Sequence, residues 1–323
     1  MQKKTAIIDG IVIPALSRQS LVEMRDGGIT AAVYMSSIWD DAGQAFCNIA
    51  NTQAVIRENA DVATLVRSVS DIDDASANGK IGIVIGWQNS DGFGQRPQNV
   101  ELFADAGLRT VSLTFNSANA AGSGCYEPND GGLTGLGRDL VASCNRAGIL
   151  LDLTHIGDRT ADDIVNASQR PVCFTHAHAR ALKDHVRNKS DDLMRSVARK
   201  GGVIGLGALR HFHRRGLESD VTDYVQAVQH VIRVVGEDHV ALGSDMTPYQ
   251  PTSFHHYTGR HKGNGKIMQN YSSLPAMPGL STFDDHKHLE TRLREGGVSP
   301  SACEKFLHMN WRRLFAESWS PLR

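Results

Sequence analysis

Three short runs in the sequence end in side chains able to hold or activate a metal ion. Leu151-Asp152-Leu153-Thr154-His155 ends in one histidine, and Val172-Cys173-Phe174-Thr175-His176 ends in a second. Val240-Ala241-Leu242-Gly243-Ser244-Asp245 ends in a carboxylate. Imidazole nitrogens bind divalent ions such as zinc, and a nearby carboxylate can orient or deprotonate a metal-bound water. A single histidine at a strand end is more often a hydrogen-bonded structural residue. The grouping of His155, His176 and Asp245 therefore carries the reading, not any one of them. His178, two residues past His176, reads as a loop residue. His255, His256 and His261 lie in a long loop and read as solvated.

Such groups need rigid elements to bring them together. Short apolar runs alternate with amphipathic segments along the whole chain. The runs Thr5–Ile13, Thr30–Met35, Val62–Arg67, Ile81–Trp87, Thr110–Phe115, Ile149–His155, Val172–His176, Val203–Leu209 and Val240–Asp245 read as strands. Most are continuously apolar, as expected of parallel strands covered on both faces. Phe46, Ile49, Ala50, Gln53 and Ile56 fall mostly on one helical face. So do Val221, Tyr224, Val225, Val228 and Ile232, with Gly236 as a stop. This order predicts an α/β chain folded as a single (β/α)8 TIM-type barrel domain over residues 1–323. Nine candidate strands for eight places make Val62–Arg67 the extra one. A doubly wound open sheet is the alternative, but no G-x-G-x-x-G follows the first strand. Loops at about 116–132 and 247–279 should cover the barrel mouth.

Composition narrows the function classes. The 323 residues carry 34 Lys and Arg against 35 Asp and Glu, a formal net charge of −1. A nucleic-acid partner would call for a basic excess, which is missing. The cysteines are Cys47, Cys125, Cys144, Cys173 and Cys303. Their odd number, with no C-x-x-C pair, reads as reduced thiols in a cytoplasmic protein. No stretch of about 18 apolar residues occurs, so no membrane partner is expected.

Several motifs together resemble the renal (membrane) dipeptidase family of the metal-dependent amidohydrolase superfamily. Gly131-Gly132-Leu133-Thr134-Gly135-Leu136-Gly137-Arg138 is similar to that family's GGLT-x-x-G-R segment. Asn145-Arg146-Ala147-Gly148, with the strand running to His155, resembles its N-R-x-G-x-x-x-D-L-[ST]-H segment. Phe174-Thr175-His176 with Arg187-Asn188 resembles F-S-H…R-N, and Val240–Asp245 resembles G-x-G-[ST]-D. Ile7-Ile8-Asp9-Gly10 matches more loosely. The resemblance implies a barrel, two bridged zinc ions and hydrolysis of dipeptides. It implies that His155 and His176 are ligands of the second zinc, that Asp245 is the catalytic acid/base, and that Arg187 holds the substrate carboxylate through its planar fork.

The chain departs from that pattern at the first metal. The family's H-x-D falls at Ile11 and Ile13, its bridging glutamate at Gln88, and its polarising histidine at Phe115. Two dications ~3.5–4 Å apart need anionic bridges, and a neutral amide is a poor one. The expectation is at most one divalent metal, zinc by type, on His155 and His176 with Asp245 or Gln88 assisting. Dipeptidase activity of the ordinary kind should then be weak or absent. Gln88, Asn89 and Asn116 are expected to line a polar substrate pocket. Cys125, Glu127 and Asp130 are candidate replacements for lost site residues. The leading reading is a hydrolase of a small, polar, carboxylate-bearing amide or amino-acid derivative. A lyase or isomerase on the same scaffold and a non-catalytic small-molecule binding protein are the alternatives. Members of the family often pair, which makes a homodimer the expected assembly.

Overall fold

A computed structural model describes residues 6–259 and 276–320. Nine strands lie among them: β1 (Ile7–Val12), β2 (Ile29–Ser37), β3 (Ala63–Leu65), β4 (Ile81–Trp87), β5 (Leu108–Ser112), β6 (Leu150–Asp152), β7 (Cys173–Ala177), β8 (Val203–Leu206) and β9 (Val240–Leu242). All pair in parallel, in the order β1-β2-β4-β5-β6-β7-β8-β9. The ring closes from β9 back to β1 just beyond the strand ends. Ile13 N donates to Met246 O at 2.8 Å and Asp245 N to Ile11 O at 3.1 Å. The expected barrel is therefore present. The supernumerary strand is β3, inside the expected Val62–Arg67. It pairs with the first half of β4, through Ala63 opposite Ile81, while β5 takes over that edge from Ile85 onward.

The apolar runs are explained by two layers of packing. One cluster joins outward-facing strand residues such as Ile29, Ile83, Val111 and Leu151 to the surrounding helices. A second takes residues from nearly every strand, among them Ile8, Val33, Val84, Leu150, Cys173 and Val203. Trp311, Leu314, Phe315 and Trp319 at the C-terminal end of the chain complete it. Trp311 Nε1 donates to Leu242 O at 2.7 Å, and its ring lies where a Cβ on Gly10 would fall, 2.3 Å away. Only glycine admits this approach of the ring to β1.

Helix boundaries follow capping chemistry. Thr134 caps the helix Gly135–Ala147 by accepting from Gly137 N, and Gly148 ends it at φ +70°. The glycine-rich motif around Thr134 thus serves the scaffold. On the helix Ala42–Glu58 the buried stripe is Ala45, Ile49, Thr52 and Ile56. Phe46, expected on the buried face, is 57% exposed and only edges toward Phe103, its ring centroid 6.4 Å away. On the helix Val221–Val235 the expected face is buried through Val221, Tyr224, Val225 and Val228, and Gly236 ends it. The loop expected at 247–279 contains a helix, Thr252–Gly259. Residues 260–275 of it, with His261, lie outside the described residues. Among the described residues no helix is long and apolar enough to cross a membrane.

Candidate metal and substrate site

Asp152 ends β6 and turns the chain toward the barrel mouth. Its Oδ1 accepts from Thr154 N at 3.0 Å and from Thr175 N at 2.9 Å, tying the end of β6 to β7. The strand expected to run on to His155 therefore stops three residues short, because this Asx bend takes the backbone out of the ladder. The bend places His155 opposite His176, which projects from β7.

Each ring is held by its Nδ1. His155 Nδ1 lies 2.8 Å from Asn116 Oδ1. His176 Nδ1 lies 2.7 Å from Thr175 Oγ1, whose own proton goes to Asp152 Oδ2 at 2.7 Å. An ionised carboxylate only accepts, so the Thr175 hydroxyl donates to Asp152 and accepts from His176. Both rings thereby keep the proton on Nδ1 and turn a lone pair on Nε2 into the barrel. Burial above all, then the Arg187 charge, holds both imidazoles neutral, well below the ordinary histidine range.

The two Nε2 atoms are 3.1 Å apart. Gln88, just past β4, places its Nε2 at 3.3 Å from His155 Nε2 and 3.4 Å from His176 Nε2. Two ligand atoms on a tetrahedral zinc at ~2.0–2.1 Å would be about 3.3–3.4 Å apart, close to this triangle. Asp245 Oδ2 is 3.8 Å from His176 Nε2. Asp245 sits at φ +58°, a strained setting for a residue with a side chain, with its neighbour Ser244 N donating to Asp9 Oδ1 at 2.8 Å. Asp9 is fully buried and paired with His286 Nε2 at 3.2 Å. Burial pushes the Asp245 carboxyl up to about 7; Arg187 pulls it down, and Asp9 and Asp152 push it further up.

Arg187 is 2% exposed and reaches His155 Nε2 with Nη2 at 3.5 Å. Its Nη1 is buried with no hydrogen-bond partner, and no carboxylate pairs with it among the described residues. The neighbouring Lys189 is, by contrast, held by Ile156 O and by Asp158 at 3.6 Å.

Gln88, His155, Arg187 and Asp245 line one cavity with an empty volume of about 540 Å³, shared with Ile13, Phe115, Asn116, Tyr126, Phe212 and Phe254; His176 adjoins it through its contact with His155. All six candidate residues meet here: His176 contacts both His155 and Asp245, with Arg187, Gln88 and Asn116 around them. Asn116, expected on the substrate, has its carbonyl oxygen committed to His155. Asn89 is turned away, accepting from Asn119 Nδ2 at 2.9 Å.

The other candidates are structural. Cys125 sits behind Asn116, its Sγ 3.7 Å from Asn116 Oδ1, and burial pushes its thiol up, away from the thiolate a ligand needs. Glu127 accepts from Ala118 N, and Asp130 accepts from the first backbone amides of the helix Asp158–Ala167. His255 and His256 do not line the cavity, whereas Phe254 and Thr258 from the same helix do. Thr175, Asp152 and Phe254 were not singled out from sequence, although a threonine precedes each histidine, as Thr154-His155 and Thr175-His176.

His155 and His176 offer two inward Nε2 donors, with the Asp245 carboxylate beside them, a set of the type that binds divalent ions. Ile11, Ile13, Met35, Ile38 and Phe115 form a separate buried apolar cluster. Among the described residues no group of three or more His, Cys, Asp or Glu side chains converges to hold a metal.

The comparisons with known proteins agree with this architecture. The sequence profile of the membrane dipeptidases, peptidase family M19, matches residues 15–259. The chain belongs to the membrane dipeptidase family. An amidohydrolase from Pseudomonas aeruginosa has the same fold with a TM-score of 0.94, 35% identity and coverage of 98% of this chain and 97% of that one. An uncharacterized protein in the pqqA 5′ region of Klebsiella pneumoniae is 27% identical over 281 residues, 84% of this chain and 94% of its own. A metallo peptidase from Rhodobacter sphaeroides, liganded with a phosphinate mimic of the dipeptide L-Ala-D-Ala, shares the fold at TM-score 0.81 and 21% identity, over 98% and 100% of the two chains. Within this dipeptidase family the chain is a hydrolase of the metallo-dependent type. The matched region contains all six candidate site residues and begins after Ile11 and Ile13.

Proposed function

We propose that the protein hydrolyses a small amide or amino-acid derivative bearing a carboxylate, using at most one divalent ion, and that ordinary dipeptides are poor substrates. The observation that carries this reading is the pair of inward Nε2 lone pairs of His155 and His176, set between Asp245 and the unpaired guanidinium of Arg187. His155 and His176 would hold the ion, which supplies Lewis acidity and a lowered pKa for water.

The chain's own residues do the rest. Arg187 binds the substrate carboxylate; a buried cation without a counter-ion is costly, and an incoming anion relieves it. Asp245, poised near neutrality, takes a proton from the attacking water and returns it to the departing nitrogen. The C–N bond breaks as the water oxygen joins the carbonyl carbon. Asn116 and Thr175 keep both imidazoles in the tautomer that leaves Nε2 open. Ile13, Gln88 and Phe115 supply neither the carboxylates nor the electrophile that a two-ion dipeptide site would need, which supports the low dipeptidase expectation. Five free cysteines, four of them buried, support a reducing compartment.

A second reading rests on Gln88. Its terminal amide bonds to both Nε2 atoms at once, so the lone pairs are satisfied without an ion. That favours a metal-free lyase, isomerase or binding protein. Elemental analysis of protein purified with zinc or iron supplied, combined with ¹⁸O-water incorporation from a panel of N-acyl amino acids, decides between them. About one ion per chain and label in the released acid are expected. Two ions per chain, or no ion with no label, would sink the proposal.

A further inference from the structure

The cavity is not uniformly polar. Arg187 stands at one wall, its Cζ 5.8 Å from the centre of the Phe212 ring. Ile13, Phe115 and Phe254 form another. Phe115 lies against the reacting centre, its ring centroid 4.1 Å from that of His155, and is braced edge-on by Trp39 at 5.4 Å. Ile13 and Phe115 are 5% and 4% exposed and packed with Ile11, Met35 and Ile38 in one apolar cluster.

Phe254 arrives from the helix Thr252–Gly259, which Tyr257 helps fasten over the mouth. Tyr257 Oη donates to Asp40 Oδ2 at 2.8 Å and accepts from Trp39 N at 2.8 Å. Asp40 is itself held by the Ser37 hydroxyl at 2.6 Å. The fastening sets the Phe254 ring among the cavity-lining residues beside Ile13 and Phe115.

We propose that this wall is a specificity subsite for an apolar group, and that the substrate is an N-acyl amino acid whose acyl chain is a short branched aliphatic or a phenyl group. The inference rests on the hydrolase reading above and deepens it. The carboxylate sits on Arg187, the amide lies over His155, Gln88 and Asp245, and the acyl chain packs against Ile13, Phe115 and Phe254. An apolar group placed there leaves no polar atom unpaired, whereas a charged or hydroxylated one would be stripped of water without a partner.

Calorimetric binding of N-formyl-, N-acetyl-, N-butyryl- and N-isovalerylglycine to the zinc-supplied protein tests this. Each added methylene should tighten binding about fourfold, up to on the order of 100-fold across the series. Phe254→Ala should weaken N-isovalerylglycine about tenfold or more while leaving N-formylglycine within about twofold, and Phe254→Leu should keep most of the gradient. Isovalerylglycinamide, lacking the carboxylate, should bind much more weakly than the acid.

A flat or falling series, a gradient untouched by Phe254→Ala, or no binding by any member overturns the subsite. Product analysis of the same samples separates the two claims. Graded binding with no glycine released refutes hydrolysis and leaves the subsite standing. Release of glycine with flat affinities does the reverse.

Discussion

The Thr175 hydroxyl lies 2.7 Å from His176 Nδ1, and this contact decides which nitrogen of the ring faces the cavity. Asp152 takes the hydroxyl proton, so Thr175 has only a lone pair to offer the imidazole. Thr175→Val keeps the shape and removes the acceptor. The ring then loses its tautomer lock, and a buried Nδ1–H is left without a partner. Supporting groups of this kind are typically worth about 10–100-fold in metal affinity. Competition with a chelator should show a loss in that range for Thr175→Val, with Thr175→Ser close to the parent. Equal metal affinity in Thr175→Val would remove the hydroxyl from the account.

Among the described residues Arg187 has no carboxylate partner, unlike its neighbours Lys189 and Arg180. Lys189 and Arg180 both reach Asp158, whereas Arg187 Nη1 meets nothing. Arg187→Lys keeps the charge and loses the planar fork. If the fork receives the substrate carboxylate, KM or Kd for carboxylate ligands should rise by about 10–100-fold, the equivalent of one charge-assisted hydrogen bond at ~1.5–3 kcal/mol. Binding of the matching amides should hardly change. A fall in kcat with unchanged KM would place Arg187 in the chemical step instead.

The fold, and the grouping of the candidate residues at the barrel mouth, could be read from residue order, because both rest on local patterns. Continuous apolar runs such as Ile81–Trp87 announce covered parallel strands, and the position rule for barrels then points to His155, His176 and Asp245. The short β3 was identifiable as the surplus strand because it sits in an excursion between two longer runs. What escaped depends on three-dimensional neighbours. The Asx bend at Asp152 shortens β6, yet an aspartate within an apolar run looks like any strand residue. Asn116 lines the pocket as its sequence reading expects, but that its oxygen also holds His155 Nδ1 shows only in three dimensions. Phe46 fits an apolar helical stripe by spacing, but the contact surface is centred on Ala45 and Ile49, one residue around the helix. The apolar wall is invisible in sequence because more than 100 positions separate Ile13 from Phe115 and Phe115 from Phe254.

His213 gives the fold an acid limit. Its Nε2 donates to Gly207 O at 2.9 Å, and the ring is 4% exposed beside Tyr224 and His178. Burial pushes its pKa down to about 4; the Gly207 carbonyl and Asp223 oppose this, and Lys183 reinforces it. The unfolded chain takes up a proton near the ordinary value of 6.5, while the folded chain refuses it until about 4. Stability present above pH 6.5 is therefore lost as the pH falls from 6.5 toward 4, by up to roughly 3 kcal/mol for this one group. Urea unfolding of chelator-treated protein at pH 7 and pH 4.5 should show that loss. His213→Gln, which can still donate to Gly207 O, should lose less between the two pH values. An unchanged difference would clear His213 of the acid sensitivity.

Gly243 is the point where the site depends most directly on the barrel wall. It follows β9 and precedes Ser244 and Asp245. A Cβ there would fall 1.7 Å from Thr175 O and 3.3 Å from His176 Cα. These are backbone atoms of β7, so no side chain can swing aside to make room. Gly243→Ala must push β7 and β9 apart at the residues that carry His176 and Asp245. Overpacking of this kind costs about 1–3 kcal/mol or more. The melting temperature should fall by about 2–4 °C for each kcal/mol lost. Metal affinity should fall as well, because the displacement is centred on the ligand. Gly79→Ala is the control: a Cβ there meets nothing within 4 Å, and φ of +64° confines its cost to local strain. It should lower the melting temperature without touching the metal. If Gly243→Ala matched the control in both measurements, close approach of β7 and β9 would not be what holds His176 and Asp245 together.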